Sequence, residues 1–343
     1  LHFALCAVRK ILVVGPSWIG DTVLAQPLFK LLHERHAGLE LDILAPPPIH
    51  PLLGRMPEVG RAIENPFGHG ELRLGERFRL GRALAGRCYD QAIVLPNTFK
   101  SALVPFFAGI PERTGYLGEQ RHWLLNDARR LDARGLPQMA QRYAALASPR
   151  GEPPKAPLPA LGLRVDEAAR RATLDRFGLD AARPAVALCP GAEYGPAKRW
   201  PARHFAGLAQ GLAALGCAVW LIGGPGDRRI GAEIERAAGG ACRNLCGGTK
   251  LDEAIDLLSA CACVVSNDSG LMHVAAALGR PLVALYGSSS PDFTPPLTPR
   301  ARVLKLDLPC SPCFRRECPL GHFDCMTRLT PDRVLAAVDF DRI

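Results

Sequence analysis

Apolar residues fall along this chain in short, nearly unbroken runs, separated by longer stretches in which apolar and polar positions alternate with helical spacing. A short run with few polar breaks is what a strand covered on both faces requires, and the amphipathic stretches between are the helices that cover it. The pattern predicts parallel α/β sheets. In the first half the strands are expected at 11–14, 41–44 (interrupted by Asp42) and 92–95. In the second half they are expected at 185–188, 218–222, 261–265 and 282–286, with a weaker one at 303–306. Most end near Gly, Pro or Asn, where a strand gives way to a turn.

Between the two sets, residues 148–158 hold four prolines and a glycine, the composition of an exposed linker. A helical pattern at 165–177 follows. For 343 residues, two domains is the expected number. The organisation predicted is a first Rossmann-like domain at 9–150, a linker and connecting helix at 151–182, a second Rossmann-like domain at 183–330 and a C-terminal helix at 331–343. Each half opens with a strand, a Gly-containing turn and a helix. The simplest architecture is two doubly wound domains facing across a cleft, with ligands outside the carboxyl ends of the strands.

Composition narrows the partners only slightly. Hydrophobic residues make up 48% and charged residues 22%, an ordinary globular balance. The net charge of +9 favours polyanionic partners, but the basic residues are dispersed. With no Lys/Arg tail and no aromatic-rich basic strand, nucleic acid is not expected. No segment reaches the roughly 18 apolar residues that a membrane span needs. The apolar residues 1–8 precede Arg9-Lys10 rather than follow a basic region, the wrong order for a signal peptide. A cytoplasmic location is therefore expected, with most of the twelve cysteines reduced.

Three strand-end segments carry candidate chemistry. The first, Gly15-Pro16-Ser17-Trp18-Ile19-Gly20-Asp21-Thr22, imitates a phosphate-cradling loop, but Asp21 stands where a lysine should reach the phosphates. That makes the ATPase reading a poor one. It leaves Asp21, just before a helix expected from about Thr22, as either a helix cap or a general base for an attacking hydroxyl. The second, Cys189-Pro190-Gly191-Ala192-Glu193-Tyr194-Gly195-Pro196-Ala197-Lys198-Arg199-Trp200-Pro201, places adjacent cations on a backbone-accessible loop before a helix beginning near Pro201. Lys198 and Arg199 are either a solvated pair or a diphosphate site. The third runs from Ser266 through Asn267, Asp268, Ser269, Gly270, Leu271 and Met272 to His273, with Ser269 as N-cap and Gly279 as helix stop. A buried helix with an open N-terminus suits a diphosphate. Asp268 as a second cap and His273 as a structural imidazole are the plainer alternatives.

Read together, these segments resemble the heptosyltransferases of glycosyltransferase family 9. The likeness also takes in 95–111, from Leu95-Pro96-Asn97 to Gly109-Ile110-Pro111, and Pro281-Leu282-Val283-Ala284-Leu285-Tyr286-Gly287 with 290–296, so it runs from residue 10 to about residue 296. The resemblance implies a GT-B fold. It further implies an inverting, metal-independent transfer of L-glycero-D-manno-heptose from ADP-heptose to the first heptose of the lipopolysaccharide inner core, with no cofactor. In it Asp21 matches the catalytic base and Lys198 the residue that neutralises the departing diphosphate. Gly191, Asp268, Ser269, Gly270 and His273 fall in the donor-binding segments. Asp227, in Gly223-Gly224-Pro225-Gly226-Asp227, is the counterpart of the contact to the adenosine ribose. The acceptor would be heptosylated Kdo2-lipid A, met peripherally at the inner face of the cytoplasmic membrane. Lys100, Arg113 and Arg121, near 95–111, form either its basic docking face or a solvated surface. An inverting transfer needs positive charge where the diphosphate departs, and Lys198 with a helix N-terminus supplies it without a metal.

Two other function classes stay open at this level: a nucleotide-sugar epimerase of the same architecture, and a non-catalytic nucleotide-binding module. Also open is the cluster Cys310, Cys313, Cys318 and Cys325, with His322 among them. Its Cys-x-x-Cys start has structural-zinc spacing, while the six residues between Cys318 and Cys325 exceed a usual knuckle. Zinc, reduced thiols and disulfides all fit.

Overall fold

The computed structural model describes residues 8–68, 70–180 and 182–340. The expectations for residues 1–7, and for the last residues of the C-terminal helix expected at 331–343, fall outside them. The chain divides into two compact units, Leu1–Pro159 and Ala160–Ile343. Among the described residues no helix is long and apolar enough to cross a membrane.

The first unit is built on β1 (Lys10–Val14), β2 (Glu40–Ala45), β3 (Arg61–Glu64), β4 (Gln91–Val94), β5 (Glu112–Tyr116) and β6 (Asp127–Arg129). All pairings are parallel and the order is β3-β2-β1-β4-β5-β6. The second unit repeats the plan with β7 (Ala185–Cys189), β8 (Ala218–Leu221), β9 (Arg243–Asn244), β10 (Cys263–Asn267), β11 (Leu282–Leu285) and β12 (Ala301–Leu304), ordered β12-β11-β10-β7-β8-β9. Read from its own first strand, each sheet has the doubly wound order whose direction of winding reverses between the first and fourth strands. The fold is the two-domain α/β arrangement of the GT-B kind.

Burial explains why the central strands were legible. In β1 every residue after Lys10 is buried, and in β4, β7, β10 and β11 every residue is. Among the described residues one hydrophobic cluster lies around Leu12, Val94, Leu103 and Val104, and another around Leu188, Trp200, Phe205 and Leu285. At roughly 1.5–3 kcal/mol per fully buried large apolar side chain, these clusters carry much of each unit's stability. Close helix packing depends on glycine at one point in particular. A Cβ on Gly81, in helix Leu74–Ala85, would lie 2.6 Å from Cβ of Phe107 on helix Leu103–Phe107.

Several boundaries moved, each for a local reason. β10 begins two residues later than expected because Cys261 is the C-cap of helix Leu251–Ala260. Its last residues are then Ser266 and Asn267, both fully buried. The expected helix at 165–177 is Glu167–Arg176, started by Asp166, whose side chain accepts from the amides of Ala168 and Ala169 at 3.0 Å each. It belongs to the second unit, where Thr173 donates to Asp256 on helix Leu251–Ala260. The segment after 330 forms the short helix Pro331–Leu335, packed beside Gly207 and Gly211 of helix Ala202–Ala214.

Candidate active site

In the second unit, the loops that leave β7, β10 and β11 meet at the reversal of strand order. The side chain of Asn267, the last residue of β10, welds two of them. Its Nδ2 donates to the carbonyl of Pro190 at 2.8 Å, and its Oδ1 accepts from the amide of Trp200 at 3.1 Å. Trp200 is itself fully buried and its indole N–H donates to the carbonyl of Leu329 at 2.7 Å. The stretch between Pro190 and Trp200 is thus pinned at both ends, and its short turn Pro196–Lys198 presents the lysine at a fixed place.

Lys198 reaches across to the next residue after β10. Its Nζ donates to Oδ2 of Asp268 at 2.6 Å, with side-chain exposures of 18% and 4%. The same carboxylate oxygen accepts the hydroxyl of Ser289, beyond β11, at 2.6 Å. Below the ammonium, 5.1 Å away, lies the ring of Tyr194. The lysine is held by one carboxylate and one aromatic face. An ammonium has three donors, so such a grip leaves it able to meet an anion as well.

Helix Gly270–Ala277 starts beside this pair, with Ser269 as N-cap and Gly279 past its end at φ 65°. The Ser269 side chain makes no cap bond; its hydroxyl instead lies 3.2 Å from that of Ser266. The first turn's amides are therefore not spent on their own cap side chain. His273 sits within the helix, 3% exposed, with Nε2 4.0 Å from Oδ1 of Asp268. Burial first, and Lys198 as well, hold its pKa down to about 4 against the opposing pull of Asp268. The imidazole is neutral at physiological pH, and among the described residues its Nδ1 has no hydrogen-bond partner.

Asp227 follows β8 and folds back on its own turn, accepting from the amide of Gly224 at 2.9 Å. Burial, the largest influence, raises its pKa above the usual carboxylate range. Gly191 is the reason it fits: a Cβ there would stand 2.2 Å from the Asp227 carboxylate. Arg199 lies near enough to act on Asp227, while its Nη2 donates to the carbonyl of Ala192 at 3.2 Å. Gly191, Asp227, Lys198, Asp268, Ser269, Gly270 and His273 thus all belong to strand-end loops of one sheet, or to the helix start that follows one.

In the first unit, Asp21 also lies at a strand end. Its helix begins at Ile19, earlier than the expected Thr22, with Trp18 as N-cap. The Trp18 carbonyl accepts both the amide and the hydroxyl of Thr22, at 3.0 and 2.9 Å. Asp21 is in the first turn rather than at the cap, where a carboxylate still benefits from the helix dipole. It lies near Tyr143, whose hydroxyl it helps hold protonated, after burial. Lys100 and Arg113 are half-buried, and Arg113 donates to the carbonyls of Leu124 and Ile110 and lies over Phe106.

Arg121 is the correction. It was expected on a basic face, but the structure buries it completely. Its guanidinium donates to the carbonyls of Pro96, Thr98 and Tyr116, the hydroxyl of Ser101 and the side chain of Asn97. Burial pulls its pKa down to about 10, so it stays charged. A cation so committed orders the loop after β4 from within. Sequence reasoning gave no role to Asn267 and missed Ser289 altogether. The signal for Ser289 was the run Ser288-Ser289-Ser290 directly after a buried strand.

Residues 77–324 match the family model Glycosyltransferase family 9 (heptosyltransferase). The chain is 50% identical over 335 residues to lipopolysaccharide heptosyltransferase 2 of Escherichia coli strain K12, covering 95% of this chain and 96% of that protein. It is 48% identical over 308 residues to lipooligosaccharide heptosyltransferase 2 of Haemophilus influenzae, covering 87% and 88%. Among solved structures, the E. coli ADP-heptose lps heptosyltransferase II superimposes with a TM-score of 0.87 at 48% identity, covering 96% of this chain and 97% of that one.

Proposed function

The chain belongs to glycosyltransferase family 9, the heptosyltransferases, and on that premise we propose how its residues divide the work of transfer. The enzyme transfers heptose from ADP-heptose to the lipopolysaccharide inner core, as the extensive identity to heptosyltransferases 2 supports. The epimerase and the non-catalytic binding module are not favoured. Asp21 takes the proton of the acceptor hydroxyl as its oxygen bonds to the anomeric carbon. On the opposite side of that carbon the bond to the diphosphate breaks, and ADP leaves with the electron pair. Inversion at the anomeric carbon follows from this in-line displacement.

The observation that carries the donor assignment is the Lys198–Asp268 contact, 2.6 Å long, at the start of helix Gly270–Ala277. Asp268, itself held by the Ser289 hydroxyl, keeps the ammonium in readiness; the diphosphate of ADP-heptose takes its remaining donors and the amides of the first helical turn. Asp227 accepts from the adenosine ribose, in the space that Gly191 leaves. On the acceptor side, Lys100 and Arg113 meet the anionic inner core, and Arg121 acts through the loop it anchors. The acceptor is heptosylated Kdo2-lipid A, which brings the enzyme to the inner face of the cytoplasmic membrane.

The test is to incubate the purified protein with ADP-heptose, with and without that acceptor, and weigh the products. One heptose added to the acceptor, with ADP released only when acceptor is present, is expected. Conversion of ADP-heptose without acceptor to an isomer of the same mass, resolved by chromatography, would make the enzyme an epimerase. For the acceptor face, Lys100→Ala with Arg113→Ala should raise the acceptor KM far more than the donor KM. Added salt should raise the wild-type acceptor KM too, because exposed charges are screened beyond about 10 Å near 0.1 M.

A further inference from the structure

The stretch after β12, residues 305–323, contains no helix or strand, yet it supports the loop that carries Lys198. Tyr194 donates its hydroxyl to the carbonyl of Phe314 at 2.8 Å, and the amide of Ala197 donates to the carbonyl of Arg316 at 3.0 Å. Gly195 comes so near Arg316 that a Cβ would lie 2.5 Å from its carbonyl oxygen. A long irregular segment with so specific a task needs something other than secondary structure to fix its course.

Four cysteines are placed to do that. Cys310, Cys313, Cys318 and Cys325 line one cavity of about 20 Å³, close to the space of a single water-sized body. Cys325 has the other three thiols as its electrostatic neighbours. The amide of Gly321 donates to the carbonyl of Cys318 at 3.1 Å, a turn between Cys318 and Cys325. His322 lines the cavity too, but its Nδ1 accepts from the amide of Asp324 at 2.9 Å, so the sulfurs are the natural donor set. Among the described residues, no three such groups are drawn together to the spacing of a coordination shell. The cavity that the four cysteines help to line is the room an ion would take up once their side chains close on it.

We propose that Cys310, Cys313, Cys318 and Cys325 bind one zinc ion as four thiolates, a structural site that clamps residues 305–323 against the Lys198 loop. Four thiolates closing a tetrahedron are the ligand set zinc favours where no catalytic position is left open. Zinc displaces the four thiol protons to solvent and changes no oxidation state. The role is separate from the transfer chemistry, so its failure would leave that reading intact.

The experiment uses the full chain, purified in reductant from zinc-supplemented medium and without chelator. Elemental analysis should find close to one zinc per chain. Replacement by cobalt should give the visible bands of tetrahedral cobalt together with a sulfur-to-cobalt charge-transfer band. Cys318→Ser and Cys325→Ser should each lose the metal, while Cys88→Ser, at an exposed cysteine of the first unit, should keep it. Should those serine variants fail to fold, chelator-stripped wild type serves instead. Added zinc should then protect the four thiols from alkylation, located by mass spectrometry, and slow hydrogen exchange at the Ala197 amide. Less than a fifth of an equivalent of zinc, metal retained in both serine variants, equal alkylation with and without zinc, or a disulfide among the four would overturn the site. Zinc binding without any change in exchange at Ala197 would overturn the clamp.

Discussion

Lys198→Ala separates the two things that residue does. It removes the cation from the diphosphate, and it strands Asp268, whose side chain is 4% exposed. Breaking a buried ion pair from one side costs about 3–5 kcal/mol, because the remaining charge is left unpaired. Two features of the structure place this case near the lower end. Ser289 still donates to the same carboxylate oxygen, and the lysine side chain was already 18% exposed. About 3 kcal/mol in a unit of this size lowers Tm by roughly 6–12 °C. Turnover should fall about 100- to 1000-fold, the usual loss when a preorganised group facing transition-state charge is removed. The double variant Lys198→Ala with Asp268→Asn discriminates between the effects. With no charge left to strand, it should regain most of the lost Tm and none of the lost turnover. Scanning calorimetry gives the first quantity, and ADP release with acceptor present gives the second. A single variant that melts within about 2 °C of wild type, or a double variant no more stable than the single, would refute the orphaned-charge reasoning.

Three further predictions rest on other residues. The His273 imidazole has a pKa near 4 in the folded chain against 6.5 when unfolded, so between these values the unfolded chain binds more protons. Its contribution to stability is complete above pH 6.5 and is lost as pH falls toward 4, by about 3 kcal/mol in all. His273→Gln should flatten that part of the Tm–pH curve, and an unchanged slope would show that other groups carry it. Asp21→Asn should lower turnover by about 100-fold or more while leaving ADP-heptose affinity near wild type, checked by kinetics beside calorimetry; wild-type turnover would leave the carboxylate a partner of the helix dipole only. Gly191→Ala would put a methyl 2.2 Å from the Asp227 carboxylate, so Asp227 must leave its place over Gly224. A raised donor KM with an unchanged acceptor KM is expected, and no change in either would remove Asp227 from the donor site.

What the chain determined alone was local. β1, β4, β7, β10 and β11 were legible because a strand covered on both faces must be apolar nearly throughout, and the glycine- and proline-rich segments after them marked where backbone stays open to a ligand. The edge strands β3, β6 and β9 were not. In β3, Arg-Ala-Ile-Glu is exposed or half-buried, in β6 Asp-Ala-Arg is half-buried, and β9 is only Arg243–Asn244. Such strands keep polar side chains and carry no periodic signal, so only pairing with a neighbour reveals them. The site divides in the same way. Lys198 and Asp268 were each visible as a charge at a strand end, but 70 residues separate them, and only the sheet order makes them neighbours. The same order brings Ser289 to that carboxylate and sets Asp227 over Gly191. Arg121 shows the limit most plainly: sequence assigns an arginine to solvent because burying its charge is costly, and only the folded loop supplies the carbonyls that make the burial tolerable.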